Sequence, residues 1–85
     1  VWIVEIDPRA EKELEKLDYQ EARRILRFLF DRVVYLDDPR SIGEALKGSR
    51  FKELWKYRVG DYLIISSIED KSLKILVVKV GDRKE

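Results

Sequence analysis

Cysteine, histidine, methionine, asparagine and threonine are all missing from this chain. Without cysteine there is no disulfide and no thiol nucleophile; without cysteine or histidine, a structural zinc site and imidazole acid-base chemistry are excluded too. No cofactor or metal site is expected. No run of 18 apolar residues and no signal-type segment appears, so a soluble, cytoplasmic protein without membrane contact is expected. At 85 residues the chain makes a single domain, residues 1–85. Such a chain buries only about 60–65% of the surface its unfolded form exposes, and its stability must come from ordinary apolar packing.

Charge is what the sequence has in abundance, at 41% of residues. Together with the missing residue types, this skew fits either a heat-adapted source or deliberate redesign. The net charge is only +1, a poor match to nucleic-acid binding, but its distribution is uneven. Residues 1–46 carry eight Lys/Arg against eleven Asp/Glu, and residues 47–85 carry ten against six. The basic half is the half that reads as strands.

"VWIVEI" (residues 1–6) is a short apolar run ended by Asp7-Pro8, an N-cap followed by proline at the first helical position. Helix one, residues 8–17, keeps Ala10, Leu14 and Leu17 on one face. Helix two, residues 20–36, comes after a short link and is stopped by Asp37-Asp38-Pro39. "SIGEALKGS" reads as a loop with one helical turn at most. Three strands, 52–59, 62–68 and 73–80, form a meander through Gly60-Asp61 and residues 69–72. The expected fold is α+β with the order β-α-α-β-β-β: a small antiparallel sheet with two antiparallel helices packed on one face.

Alternation along the hairpin sends Trp55, Tyr57, Val59, Tyr62 and Ile64 to one side and Leu54, Lys56, Arg58, Leu63 and Ile65 to the other. The aromatic set belongs under the helices, as core rather than as stacking platforms for bases. Lys56 and Arg58 then look out from the open face, where a solvated surface is the plainest explanation.

Five segments in order resemble the RelE/ParE superfamily of toxins from toxin-antitoxin pairs, the RelE branch in particular: "DPRAEKELEKL", "LDDPR", "EALKG", "LWKYRVGDY" and "VVKVGDRKE". The resemblance spans nearly the whole chain. It implies a ribosome-dependent endoribonuclease (an mRNA interferase) that cuts messenger RNA without metal and is held inactive by a cognate antitoxin. Cleavage of this kind needs a base for the ribose 2′-hydroxyl, cations for the charge growing on the phosphate, and an acid for the leaving oxygen. By resemblance the catalytic positions are Lys56, Arg58 and Arg83; Lys56 serves as a base only if cations such as Arg58 and Arg83 lower its pKa. Lys47, Lys52 and Lys79 are expected to contact RNA or ribosome.

The departures are as informative. Leu63 stands where the family usually has arginine, Leu54 where a second lysine falls, and Asp82 where a basic residue or histidine is common; a tyrosine expected just past "RKE" would come after Glu85. Each positioned group contributes roughly 10- to 1000-fold to such a reaction, so weak or lost cleavage is expected.

On helix two, Ile25, Leu26, Phe28, Leu29, Val33 and Leu36 suit a core face, whereas Phe30 and Val34 fall outside it and Tyr35 at its edge. Phe30, Val34 and Tyr35 are therefore candidates for binding a partner, either the antitoxin or another protein. Arg23, Arg24 and Arg27 read as a solvent-facing stripe, and Asp37, Asp38 and Glu44 as a helix stop and solvated loop. Two alternatives stand beside the RelE-type toxin: a protein-binding module, natural or engineered, on a catalytically dead scaffold, and a ParE-like gyrase inhibitor that needs none of the ribonuclease residues.

Overall fold

The computed structural model describes residues 1–47 and 54–82. In chain order it contains β1 (Ile3–Ile6), α1 (Pro8–Glu15), α2 (Tyr19–Arg27), β2 (Glu44–Ala45), β3 (Leu54–Val59), β4 (Tyr62–Glu69) and β5 (Lys74–Asp82). The start of α1 obeys its cap. Asp7 Oδ1 accepts the Arg9 backbone N–H at 2.9 Å with Pro8 in the first turn, satisfying a donor that has no intrahelical partner.

The five strands make one sheet in the order β1-β5-β4-β3-β2. β2-β3, β3-β4 and β4-β5 pair antiparallel, but β1 lies parallel to β5, with Ile3 beside Lys74 and Ile6 beside Val77. The sheet is thus mixed, not antiparallel throughout. A hairpin forces reversed neighbours, whereas β1 reaches β5 only after both helices and the meander, so its direction is set by packing. β2 was hidden within the expected loop, since two residues carry no readable alternation. At the β3–β4 hairpin Gly60 takes φ +59°, which the first central residue of a two-residue turn requires and side chains rarely adopt.

One face of the sheet carries the core. Trp2, Val4, Tyr57, Val59, Ile64, Ile75, Val77 and Val80 are buried against Ala10 and Leu14 of α1 and Ile25 and Leu29 of the second helical segment. Tyr57 is 1% exposed, and its hydroxyl donates to the Pro39 carbonyl; Trp55 donates its indole N–H to the Ile42 carbonyl at 2.7 Å. A register shift opposite Ile65 and Ser66 leaves Val78 as an extra residue in β5. Strict alternation after Ile75 and Val77 would turn Lys79 into the core. The bulge instead buries Val80 and aligns Lys79 with Ile65 on the open face.

The second helix departs from expectation in its phase. α2 ends at Arg27 and the chain continues as a π turn, Phe28–Arg32, and a 3₁₀ turn, Val33–Tyr35. A π turn adds a residue to its round and so rotates the side chains beyond it. Ile25, Leu29 and Val33 are fully buried, but Leu26, expected in the core, is 36% exposed. Val34, expected outside, packs half-buried against the core, and its carbonyl accepts the Trp2 N–H at 2.9 Å. Phe30 and Tyr35 remain exposed, at 43% and 68%. Among the described residues no helix is long and apolar enough to cross a membrane.

Candidate active site

The open face of the sheet is built by cross-strand pairs. Lys56 lies opposite Ile65, Arg58 opposite Leu63, and Ile65 opposite Lys79. Arg58 and Lys79 are exposed, whereas Leu63 is half-buried and Ile65 is 9% exposed. The residue after β2, Leu46, donates its N–H to the Leu54 carbonyl at 2.9 Å and closes over this edge. Leu46, Leu63, Ile65, Lys79, Gly81 and Asp82 then line a concavity of about 240 Å³. Its floor is aliphatic and its rim carries one cation and one carboxylate.

Lys56 has a partner that its sequence context did not reveal. β2 pairs with β3 so that Glu44 aligns with Lys56, and the ammonium stands 3.2 Å from the Glu44 carboxylate. Gly43, at φ +80°, makes that alignment possible: a Cβ there would lie 2.5 Å from the Lys56 carbonyl oxygen. The expected neighbourhood of Lys56 was cationic; the observed ion partner is an anion. A side chain engaged in this way is drawn from a phosphate toward Glu44.

The far end of the hairpin is acidic in character. Burial, and then the carboxylates of Glu21, Asp82, Asp61 and Asp18, raise the Tyr62 phenol above its ordinary pKa. Two ion pairs lie elsewhere among the described residues: Arg40 holds Asp70 in a two-pronged ion pair at 2.9 and 3.0 Å, lowering the Asp70 carboxyl, and Lys74 stands 3.1 Å from Glu5, which raises the lysine. Asp38 of the acidic run accepts the Arg40 N–H and caps the turn Pro39–Ser41. Among the described residues no group of three carboxylates is placed to hold a metal ion.

The family model described as ParE toxin of type II toxin-antitoxin system, parDE, matches residues 4–85. The chain belongs to this toxin family. Comparison with curated proteins finds no match. Among solved structures, the toxin-family chain is similar to a chain of the archaeal RelE–RelB complex from Pyrococcus horikoshii: 31% identity, 96% of this chain and 94% of that chain covered, TM-score 0.77. A chain of the RelBE2 toxin-antitoxin complex from Mycobacterium tuberculosis shares 22% identity with 96% and 98% covered and a TM-score of 0.81. A chain of the intact E. coli RelBE complex shares 20% with 96% of each chain covered and a TM-score of 0.76. These last two bear on the fold, which is the RelE-like α+β arrangement.

Of the residues singled out in the toxin-family sequence, Lys56, Arg58, Leu63 and Lys79 come together on the open face. Lys47 is exposed beyond β2, while Arg83 and Lys52 lie outside the described residues. Glu44, Leu46 and Ile65 belong to the same face and were not anticipated as site residues. For Glu44 no signal existed, because its role depends on a two-residue strand.

Proposed function

We propose that this chain is a RelE-type toxin whose open sheet face meets messenger RNA at the ribosome, whose cleavage activity is weak or lost, and whose partner is an antitoxin. The observation that carries this reading is the pairing of Arg58 with Leu63 beside a Lys56 already engaged by Glu44. In the reaction, the 2′-oxygen bonds to the neighbouring phosphorus as a base takes its proton. The bond from phosphorus to the 5′-oxygen breaks, and that oxygen is protonated. Arg58 and Lys79 supply charge for the phosphate. The floor beneath them is hydrocarbon, which stabilises no developing anion.

An antitoxin partner fits the complexes in which the similar RelE chains occur. The exposed apolar residues Leu26, Phe30 and Tyr35 offer a surface for it on the outer side of the second helix. The family match to ParE favours gyrase inhibition as the second reading. One experiment separates them: ribosome-bound message and supercoiling by gyrase are assayed with the chain and its Leu63→Arg variant. Little cleavage by the chain, more by the variant and no effect on gyrase are expected. Strong cleavage by the unmodified chain, or gyrase inhibition by both proteins, defeats the reading.

A further inference from the structure

A second basic surface lies around the edge of β5 from the open face. β1 covers β5 only as far as Val77, and beyond it α1 lies against the bulged strand. Arg9, Lys12, Glu13, Lys16, Val78 and Lys79 line a concavity of about 410 Å³ there. Spacings of three and four place Arg9, Lys12 and Lys16 on one stripe of the helix; Glu11 lies away from it, and Glu15, three residues after Lys12, borders the stripe without lining the concavity. The single carboxylate in the lining is occupied, since Glu13 Oε1 accepts the Val80 N–H at 3.0 Å. Asp7, two residues before Arg9, is turned to the Arg9 backbone. All four cations are exposed, and none has a carboxylate within ion-pair distance among the described residues. Lys79 lines this concavity and the open-face groove alike, so the two meet at that residue.

From this geometry we propose that the α1–β5 concavity binds the phosphate backbone of a single RNA strand passing from the open face over Lys79 to Lys16, Lys12 and Arg9. The identity of the strand rests on the proposed RNA-facing role of the open face; the anion site itself rests on the four cations. A backbone of phosphates suits the lining because it asks only for charge. An acidic protein segment would need apolar anchors, and Val78 is the lining's one aliphatic side chain.

The test is binding of a short labelled uridine oligonucleotide, read by anisotropy across a salt series, to the chain and to its Arg9→Gln/Lys12→Gln/Lys16→Gln variant. Each phosphate contact contributes about 0.7 to the slope of log K against log salt for single strands, so the variant's slope should fall by about 2 and its affinity by about tenfold or more. Lys12→Gln alone should lower the slope by about 0.7, which guards against an effect of the triple change on folding. An unchanged slope overturns the proposal. So does a polyglutamate peptide that binds equally well and through the same residues, which would make this a site for acidic protein. Because the oligonucleotide is bound and not cut, the outcome is separable from the cleavage assay. Cleavage indifferent to Lys56 and Leu63 with a slope lost in the α1 variant discards only the open-face chemistry, and the converse discards only this site.

Discussion

Leu63 is the register partner of Arg58 across the β3–β4 hairpin, so this exposed cation of the open face has an aliphatic side chain as its cross-strand neighbour. Residues directly opposite in an antiparallel pair stand about 4.5–5.5 Å apart at Cβ. Leu63→Arg therefore sets two guanidinium groups side by side where a phosphate could bridge them. The substitution should cost up to about 1 kcal/mol in thermal or denaturant unfolding, from like charge and lost burial. Ribosome-dependent cleavage should rise by roughly tenfold or more. Adding Glu44→Gln releases Lys56 and should raise it further, while Lys56→Ala in the double variant should abolish it. Cleavage that does not respond to Lys56 in that background would remove this lysine from the site.

The second helix makes opposite predictions for two residues four apart. Phe30 is 43% exposed, whereas Val34 packs against the core. Phe30→Glu should unfold within a few degrees of the parent and weaken antitoxin binding by about 2 kcal/mol, roughly 30-fold. Val34→Glu should instead destabilise by several kcal/mol, because it drives a carboxylate into apolar surroundings. Melting curves and affinities measured on the same two samples check both. A destabilised Phe30→Glu protein with normal binding would contradict the assignment.

That contrast also marks where the sequence stopped being readable. Helix and strand identities came from Asp7-Pro8, Gly60-Asp61 and the alternation of the hairpin, all of which act locally. The inward Val34 depends on a π turn whose extra residue leaves no composition signal, and the outward Lys79 depends on a bulge at Val78 inside an unbroken apolar run. The open face was legible in Lys56, Arg58 and Leu63 because residues two apart share a side. Glu44 was not, since its partnership is created by a strand of two residues and by Gly43, both fixed only by tertiary pairing.

Leu73, between the 3₁₀ turn Asp70–Ser72 and β5, sits at φ 50° and ψ 45°, in the left-handed region. This conformation costs a leucine roughly 1–2 kcal/mol, while at 50% exposure the side chain returns little burial. Glycine removes the steric penalty but gives back about 0.5–1 kcal/mol through its looser unfolded state. Leu73→Gly should therefore stabilise by about 0.5 kcal/mol, raising the melting temperature by about 2–4 °C in a domain of this size. Calorimetry decides the sign; a lowered melting temperature would mean that the leucine's contacts outweigh its backbone strain.

Tyr57 links the core to alkaline stability. Burial, against the opposing pull of the Arg40 charge and aided by Asp38, pushes its phenol up to about 12, and its hydroxyl donates to the Pro39 carbonyl. The ordinary tyrosine value is about 10. A folded-state value above the unfolded one means the neutral phenol is favoured by folding. Its contribution is whole below pH of about 10 and is lost as pH rises through about 12. Phenolate absorbance should accordingly show a late step that coincides with unfolding, after the first tyrosines have ionised. Tyr57→Phe should delete that step and flatten the fall in stability above about pH 10. It should also cost about 1–3 kcal/mol at neutral pH by leaving a buried carbonyl without its donor. A variant that keeps the late step would assign it to another tyrosine, and one as stable as the parent at neutral pH would show that water replaces the lost hydroxyl.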